Sequence, residues 1–342
     1  MLTENKFSKY LLYAVGEIIL VVVGILIALQ VNNWNEGRNT QSKIDSLLIE
    51  VMNDLETDIS EIDVALNLTK NIDSISKSIL KDNYNEEGLD TITSISNFFS
   101  FNRPFYQTKN GYENLISSID KLPENYKSIT KNLRPLYSTE ANKLNKDIEI
   151  INEVIRDVEN YYALNTNWYS KDLQGILNDE LRIEYIQNNP TFKNFVALYQ
   201  DKINRYRIQL FSTKQLAILN YANIYALSNP DFKKPYFIPK NEIQFSDEEL
   251  SDFEGCYSTN GIITKVSKQN GFLLFGNKAT NHIILVTNKN GNFEFGNFEF
   301  EKDNKDNNAE MVFARNEAGK VISMTVNGGS FTYKYEKIED CD

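Results

Sequence analysis

The sequence is almost without histidine and cysteine, and this absence excludes most catalytic and metal-binding chemistry. Its 342 residues include one histidine, His282, and two cysteines, Cys256 and Cys341. Histidine is the commonest metal ligand and a frequent general base, so one copy leaves little room for either role. Two cysteines are too few for a zinc site, but they can form one disulfide in an oxidising compartment. We expect no metal, no cofactor and no enzymatic activity.

Positive charge is also scarce. The chain has 36 lysines and arginines against 47 aspartates and glutamates, which gives a formal net charge of −11. Nucleic-acid binding needs a basic surface that displaces counterions from the phosphates, so we expect no nucleic-acid partner. The same deficit argues against broad docking on anionic lipid headgroups.

One long apolar run lies between Tyr10 and Trp34. Its centre, Leu11–Val31, is 21 residues long and contains only Glu17 and Gln30 as strongly polar residues. A bilayer core needs about 20 residues of helix, and aromatic side chains favour its two interfaces. A cleaved signal peptide is the alternative, but the run is too long and no A-x-A site follows it. We therefore predict a transmembrane helix that anchors the chain in a lipid bilayer.

The lysines before this helix favour one orientation. Lys6 and Lys9 lie in residues 1–9, whereas Arg38 and Lys43 follow the helix among acidic residues. Because positive flanks favour the cytoplasmic side, we predict a cytoplasmic N-terminus and an exported body.

Glu17, Gly24 and Ala28 share one face of the predicted membrane helix, since they are spaced by seven and four residues. Gly24-x-x-x-Ala28 lets two helices approach closely, and intramembrane carboxylates usually face protein. We interpret this face as a self-association surface of a homo-oligomer. Two other readings stay open: Glu17 reaches towards the interface, or it is a proton-responsive carboxylate in a motor-like complex.

An amphipathic pattern follows the span without an intervening proline. Its apolar stripe consists of Ile44, Leu48, Val51, Leu55, Ile59, Ile62 and Leu66. The stripe continues with a shifted phase at Leu68, Ile72, Ile75 and Ile79. These spacings predict a long helix that continues the membrane span. We expect its membrane-proximal part to pack on sister chains.

Two further long helices are predicted by apolar periodicity, over 144–162 and 192–226. Short helices are expected at Tyr112–Ile119 and Leu177–Ile186. Helices with one apolar stripe each assemble into a bundle, which we assign to residues 35–227. Aromatic residues between Phe98 and Tyr169 are expected to fill its core, with a ligand pocket as the alternative.

A second domain, in which apolar and polar residues alternate with a period of two, begins after a proline-containing linker at residues 228–245. Eight short strands are predicted within residues 246–342, separated by turns such as Asn260-Gly261 and Asn290-Gly291. We expect an antiparallel meander that closes into a small barrel filled by its own side chains. Cys256 in the first strand and Cys341 beyond the last would then be neighbours and form a disulfide. The fold class is thus α+β, with an elongated bundle and a β-barrel.

Two segments resemble known families. Lys9-Tyr10-Leu11-Leu12-Tyr13-Ala14-Val15-Gly16-Glu17-Ile18 and the stretch Gly24–Glu36 resemble the N-terminal signature of an uncharacterised family of single-span envelope proteins in Gram-negative bacteria. Gly111-Tyr112-Glu113-Asn114-Leu115 is similar to that family in layout. The resemblance implies an inner-membrane address and a periplasmic body. Separately, Leu250–Lys337 resembles the small β domain appended to β-lactamase-related serine hydrolases, without the hydrolase domain, which implies a fold and no reaction.

These observations favour a non-enzymatic, membrane-anchored scaffold or adaptor that contacts other envelope proteins. A sensor-like protein whose bundle binds a small ligand or peptide is the alternative. An enzyme is the third possibility, but the sequence shows no nucleophile–base pair, metal cluster or phosphate-binding loop.

Overall fold

The computed structural model describes residues 4–82, 92–227, 235–269, 271–276, 283–296, 309–328 and 331–341. The side chains of residues 4–10, 121 and 125 are outside this description, as is His282. A long N-terminal helix, a helical body and a closed eight-stranded antiparallel barrel confirm the predicted α+β class.

The helical part has nine α-helices among the described residues, with one 3-10 turn and one π turn. They are α1 Glu4–Leu80, α2 Ile95–Phe98, α3 Asn110–Ser117, a 3-10 turn Ile119–Lys121, α4 Glu124–Pro135, a π turn Leu136–Glu140, α5 Ala141–Asn165, α6 Tyr169–Leu173, α7 Asp179–Asn188, α8 Pro190–Leu227 and α9 Asp247–Phe253.

Helix α1 is continuous from the apolar run into the body, as the sequence predicts. Its 77 residues span about 115 Å at 1.5 Å per residue. Its N-terminal part is long and apolar enough to cross a membrane, and it lies outside the packed body. The first buried side chain is Ile44, so about 20 Å of exposed helix separates Val31 from the body.

Helix α8 runs antiparallel to α1 and covers its apolar stripe. Ion pairs join Asp63 to Lys214 near one end and Asp82 to Lys193 at the other. All the stripe residues from Ile44 to Ile62 are at most 2% exposed, and Leu66 is partly buried. Our expectation that sister chains cover the membrane-proximal part is therefore wrong, because the chain buries the stripe itself.

The predicted phase of α1 beyond Leu66 is also wrong in part. Thr69, Asp73 and Ser76 occupy the buried face, whereas Leu68 is exposed. Asp73 is tolerated there because α8 supplies polar partners. These partners are Gln200 at 2.8 Å, Asn204 at 3.2 Å and Arg207 at 3.3 Å, with Lys77 of α1 at 2.8 Å.

The second long helix, predicted over 144–162, starts earlier than its apolar pattern indicates. Helices α4 and α5 join through the π turn into one rod that runs from Glu124 to Asn165. Pro135 lies where the two meet and has no N–H to donate to the preceding turn. A π turn accommodates such a missing hydrogen bond without ending the helix, and such turns are frequent at functional sites.

The barrel is a meander in which each strand pairs with the next and the last pairs with the first. Its strands are β1 Gly255–Thr259, β2 Ile262–Gln269, β3 Phe272–Gly276, β4 Ile283–Thr287, β5 Phe293–Phe295, β6 Glu310–Arg315, β7 Val321–Gly328 and β8 Phe331–Ile338. Side chains such as Tyr257, Leu273, Phe293 and Met324 fill the interior. Helix α9 covers one end with Leu250 and Phe253.

The barrel packs directly on the membrane-proximal half of the helical body. Phe272, Leu274 and Ile284 share one apolar core with the C-terminal part of α8 and with the Ile44–Ile59 part of α1. Gln215 is fully buried in this joint, where its side chain accepts from Ile284 N at 3.3 Å and donates to Gly296 O at 3.2 Å.

Candidate functional site

The middle of α1 carries an excess of negative charge. Between Ile44 and Thr69 there is no lysine or arginine, but seven acidic residues are present: Asp45, Glu50, Asp54, Glu56, Asp58, Glu61 and Asp63. Four of them follow one side of the helix at steps of four, four and three residues. We call Glu50, Asp54, Asp58 and Glu61 the acidic stripe. Like charges at this spacing repel one another, so the stripe requires donors from elsewhere in the chain.

The 103–114 segment supplies those donors and runs antiparallel to α1. Four contacts join them: Arg103 to Glu61 at 3.0 Å, Thr108 N to Asp58 Oδ1 at 2.9 Å, Gly111 N to Asp54 Oδ2 at 2.7 Å and Asn114 Nδ2 to Glu50 Oε1 at 2.8 Å. The two central donors are backbone amides at and before the first turn of α3, where N–H groups have no partner within the helix. The stripe therefore holds the start of α3 against α1.

Gly111 allows this approach. A Cβ atom at Gly111 would lie 2.6 Å from Val51 N and 2.7 Å from the carbonyl carbon of Glu50, both of them backbone atoms of α1. Only glycine leaves the space that the two backbones require. This gives a physical reason for glycine in the Gly111–Leu115 motif.

Asp58 is the buried member of the stripe. Its side chain is 2% exposed, and its Oδ2 atom has no hydrogen-bond partner among the described residues. Burial raises the pKa of Asp58 to about 7, against the lowering effect of hydrogen bonds from the backbone and the side chain of Thr108, and the charge of Asp54 adds to the rise. One oxygen of this carboxyl group is thus buried without a hydrogen-bond partner among the described residues, where a negative charge is costly.

Two more polar atoms without a partner belong to groups beside Asp58. Tyr137 in the π turn is buried, its hydroxyl has no described partner, and the charge of Asp58 acts on it. Gln107 precedes Thr108 and donates from Nε2 to Leu136 O at 3.1 Å, but its Oε1 atom is also without a partner. We call Asp58, Gln107, Thr108 and Tyr137 the Asp58 junction.

The neighbouring aromatic ring fixes the orientation of Tyr137. Tyr112 of α3 stacks on it with ring centroids 4.3 Å apart and planes 15° from parallel. Burial raises the pKa of Tyr137 well above its ordinary value, so its hydroxyl stays protonated. No metal-binding group of three or more acidic, histidine or cysteine residues occurs in the described part of the chain.

The predicted membrane face lies outside the body. Glu17, Gly24 and Ala28 are all exposed on α1, and nothing lies within 4 Å of a Cβ built on Gly24. The single chain leaves this face free, so self-association through it stays a prediction.

The two cysteines lie together at the barrel seam. Cys256 faces Ile338 across the β1–β8 pairing, and Cys341 follows three residues later. The structure joins the two in a disulfide with Cα atoms 5.5 Å apart. Cys256 is buried, whereas Cys341 is exposed.

The crowded aromatic residues form a core and also border a cavity. Phe99, Phe105 and Tyr162 are buried in the membrane-distal part of the body, although Tyr106 is exposed. A partly open cavity of about 560 Å³ lies between α1 and the chain at 92–103. Its apolar lining includes Leu68, Ile72, Ile75, Ile92, Phe98 and Phe101. We call it the distal cavity.

Sequence reasoning did not identify the Asp58 junction, although one signal was present. Asp58 lies three residues after Leu55 and four before Ile62, which is a core spacing for a helix. The apolar pattern selected Ile59 at that turn, and both side chains are in fact buried. Tyr137 and Gln107 had no such signal, because they join Asp58 only through the packing of three elements.

Comparison with known proteins gives one family. A model described as "Family of unknown function (DUF6090)" matches residues 17–160, which is less than half of the chain. This range includes the acidic stripe, the 103–114 segment and the π turn, and it ends before α8 and the barrel. No curated protein and no solved structure matches the chain. The match agrees with the resemblance of the N-terminal signature to an uncharacterised family.

Proposed function

We propose that this protein is a non-enzymatic scaffold or adaptor of a bacterial envelope. In this proposal α1 anchors it in the inner membrane as a single span, its body is periplasmic, and it forms a homo-oligomer that contacts other envelope proteins. The continuity of α1 carries the proposal. One uninterrupted helix contains both the apolar run and the apolar stripe at the centre of the body. A mechanical force on the body would therefore be transmitted along this helix to the membrane span.

The packing of the body supports a mechanical role. The barrel interior is occupied by its own side chains, and its outer face shares a core with α1 and α8. A rigid body held about 20 Å from the span suits the presentation of fixed surfaces to partners. The exposed stalk between them contains several weak helix formers, among them Asn32, Asn33, Gly37 and Asn39.

The test is isolation of the full chain from its native membrane in mild detergent, followed by quantitative mass spectrometry. The proposal expects a second protein in a fixed ratio to the chain. Gly24→Ile distinguishes self-association of the chain from binding of the second protein. It should weaken the self-association and leave the second protein bound. Recovery of the chain with no protein in constant ratio contradicts the scaffold role.

A sensor-like protein is the second candidate, and the distal cavity favours it. Small-ligand sites are concave and mostly apolar, with a few polar groups that orient the ligand. The cavity has that character, with Asn71, Asn97 and Arg103 beside its apolar lining. A small molecule that remains bound through purification would support this role.

A matched pair of variants tests whether the distal cavity holds such a molecule. Leu68 lines the cavity and Leu198 of α8 is outside its lining, yet both are 41% exposed. Leu68→Trp should displace the molecule and Leu198→Trp should retain it. Equal retention in both variants, or no retained molecule in the unmodified chain, contradicts the sensor role.

A further inference from the structure

The Asp58 junction contains buried polar atoms that a purely structural contact would leave paired. It contains three buried oxygen atoms without hydrogen-bond partners among the described residues: Asp58 Oδ2, Tyr137 OH and Gln107 Oε1. Buried polar groups are nearly always paired, and an ionised carboxylate oxygen is the costliest of the three to bury without a partner. All three can accept a hydrogen bond, but only the tyrosine hydroxyl has a hydrogen to donate.

We infer that the Asp58 junction is a proton-binding site, and that its proton closes a latch between α1, the 103–114 segment and the π turn. A proton on Oδ2 makes Asp58 a neutral acid, so no charge is buried on the atom that has no hydrogen-bond partner among the described residues. The neutral acid keeps Oδ1 as the acceptor for Thr108 N at 2.9 Å. Loss of the proton leaves a buried charge one helical turn from Asp54, which itself holds Gly111 N. That charge is relieved when the 103–114 segment separates and water enters.

Among the titratable groups around the junction, Asp58 is the one that we expect to hold this proton. Asp54 on α1, Tyr112 on α3 and Tyr137 in the π turn are the titratable groups that act on the junction. Lys109 and Glu113, which flank Gly111, are exposed. Three other charged residues of the neighbouring elements have partners elsewhere: Arg103 with Glu61, Lys214 with Asp63, and Glu140 with Lys143.

The direction of the pH effect follows from the raised pKa of Asp58. An unfolded aspartate titrates near 3.8, whereas Asp58 in the folded chain titrates at about 7. Between these values the folded chain binds the extra proton, so its stability decreases as the pH rises. The folding equilibrium constant should fall by up to tenfold per pH unit over this range through Asp58 alone, and this effect should level off above about pH 8. The inference is independent of the scaffold role.

The experiment measures chemical unfolding of the full chain in detergent between pH 5 and 8.5. Asp58→Asn imitates the neutral acid in shape and cannot ionise. The ratio of folding constants, unmodified chain over Asp58→Asn, should fall at least tenfold across this range. Glu61→Gln is the matched control, because it removes the same charge one turn further along the stripe at an exposed position. It should keep the pH profile of the unmodified chain.

A ratio that stays constant with pH overturns the inference. If Asp58→Asn does not fold, the unmodified chain supplies the second readout by infrared spectroscopy. The carbonyl band of a protonated carboxylic acid should be present at pH 6 and disappear by pH 8.5. Hydrogen exchange at Thr108 and Gly111, corrected for its intrinsic pH dependence, should accelerate over the same interval. Absence of any carboxyl group that titrates in this interval also overturns the proton site.

Discussion

Single polar residues join the helices of this protein at places that its apolar pattern does not mark. Gln215 bonds the barrel to α8, Asp73 bonds α1 to α8, and Asp58 bonds α1 to the 103–114 segment. Each is at most 4% exposed. Buried polar groups are costly unless paired, so these residues favour one arrangement of helices over others with the same apolar contacts.

Gly111→Ala should destabilise the body. The new Cβ would meet backbone atoms of α1 at 2.6–2.8 Å, and backbone cannot move aside as a flexible side chain can. We expect a loss of about 1–3 kcal/mol in the free energy of unfolding, the usual effect of overpacking. Urea unfolding in detergent measures it. Gly37→Ala is the control, since nothing lies within 4 Å of its Cβ position, and it should be neutral or slightly stabilising. Equal stability of the two variants would show that α3 does not approach α1 this closely.

At the scale of elements, helix packing changes along α1 from apolar to mixed contacts. Near the membrane the stripe is aliphatic and shares a core with the barrel, whereas farther along Thr69, Asp73 and Ser76 are buried against α8. The aliphatic side chains displaced from that face, Leu68, Ile72 and Ile75, line the distal cavity. The cavity is thus a consequence of placing polar residues on the buried face of the helix.

The membrane part of α1 gives a prediction about self-association. Gly24→Ile should weaken a dimer or trimer, because the larger side chain keeps the helices apart at the Gly24–Ala28 face. Gly16→Ile is the matched control, since Gly16 lies about 100° around the helix from Glu17 and has equally open surroundings. Light scattering of the detergent-solubilised chain gives the oligomer size. A monomer in the unmodified protein, or identical behaviour of both variants, rules out this face.

The barrel seam gives a prediction about the cysteines. Cys256 and Cys341 are 85 residues apart, so their bond closes a loop that contains almost the whole barrel. By the chain-entropy account, Cys341→Ser should lower the free energy of unfolding of the barrel by about 4 kcal/mol. With reductant present, the unmodified chain should become as unstable as the variant. Titration of the denatured, unreduced protein should find no free thiol, and two free thiols would refute the pairing.

At the scale of the whole molecule, the body lies on the C-terminal side of the apolar run of α1, which is long and apolar enough to cross a membrane. The barrel shares a core with the part of α1 nearest the membrane, and the distal cavity lies farther along the same helix. The Asp58 junction lies between them, where the 103–114 segment crosses α1. Release of this segment would therefore loosen the middle of the body.

The orientation of the whole chain is open to a direct test. Because Lys6 and Lys9 precede the span, alkaline phosphatase fused after residue 342 should be active in the periplasm. A matched fusion to a reporter that functions only in the cytoplasm should be silent. An inactive phosphatase together with an active cytoplasmic reporter would reverse the orientation and remove the periplasmic role proposed for the body.

The sequence by itself determined the classes and approximate positions of the main elements. Apolar periodicity located the long helices and the core face from Ile44 to Ile62, and turn residues located the eight strands. These features depend on local patterns of a few residues, which can be recognised without knowledge of the tertiary contacts. Local pattern missed the first part of the second long helix, which begins at Glu124 and continues through a π turn, and it failed beyond Leu66, where polar residues are buried.

Only the tertiary structure decided which polar groups meet. Asp58, Gln107 and Tyr137 are separated by up to 79 positions, and nothing in their spacing relates them. They come to one region of the body because Gly111 lets α3 lie against α1 and because the π turn places Tyr137 where the charge of Asp58 acts on it. The raised pKa of Asp58 is likewise a product of burial, which depends on every element that covers it. A carboxyl group's chemistry is set by its surroundings, and those come from distant parts of the chain.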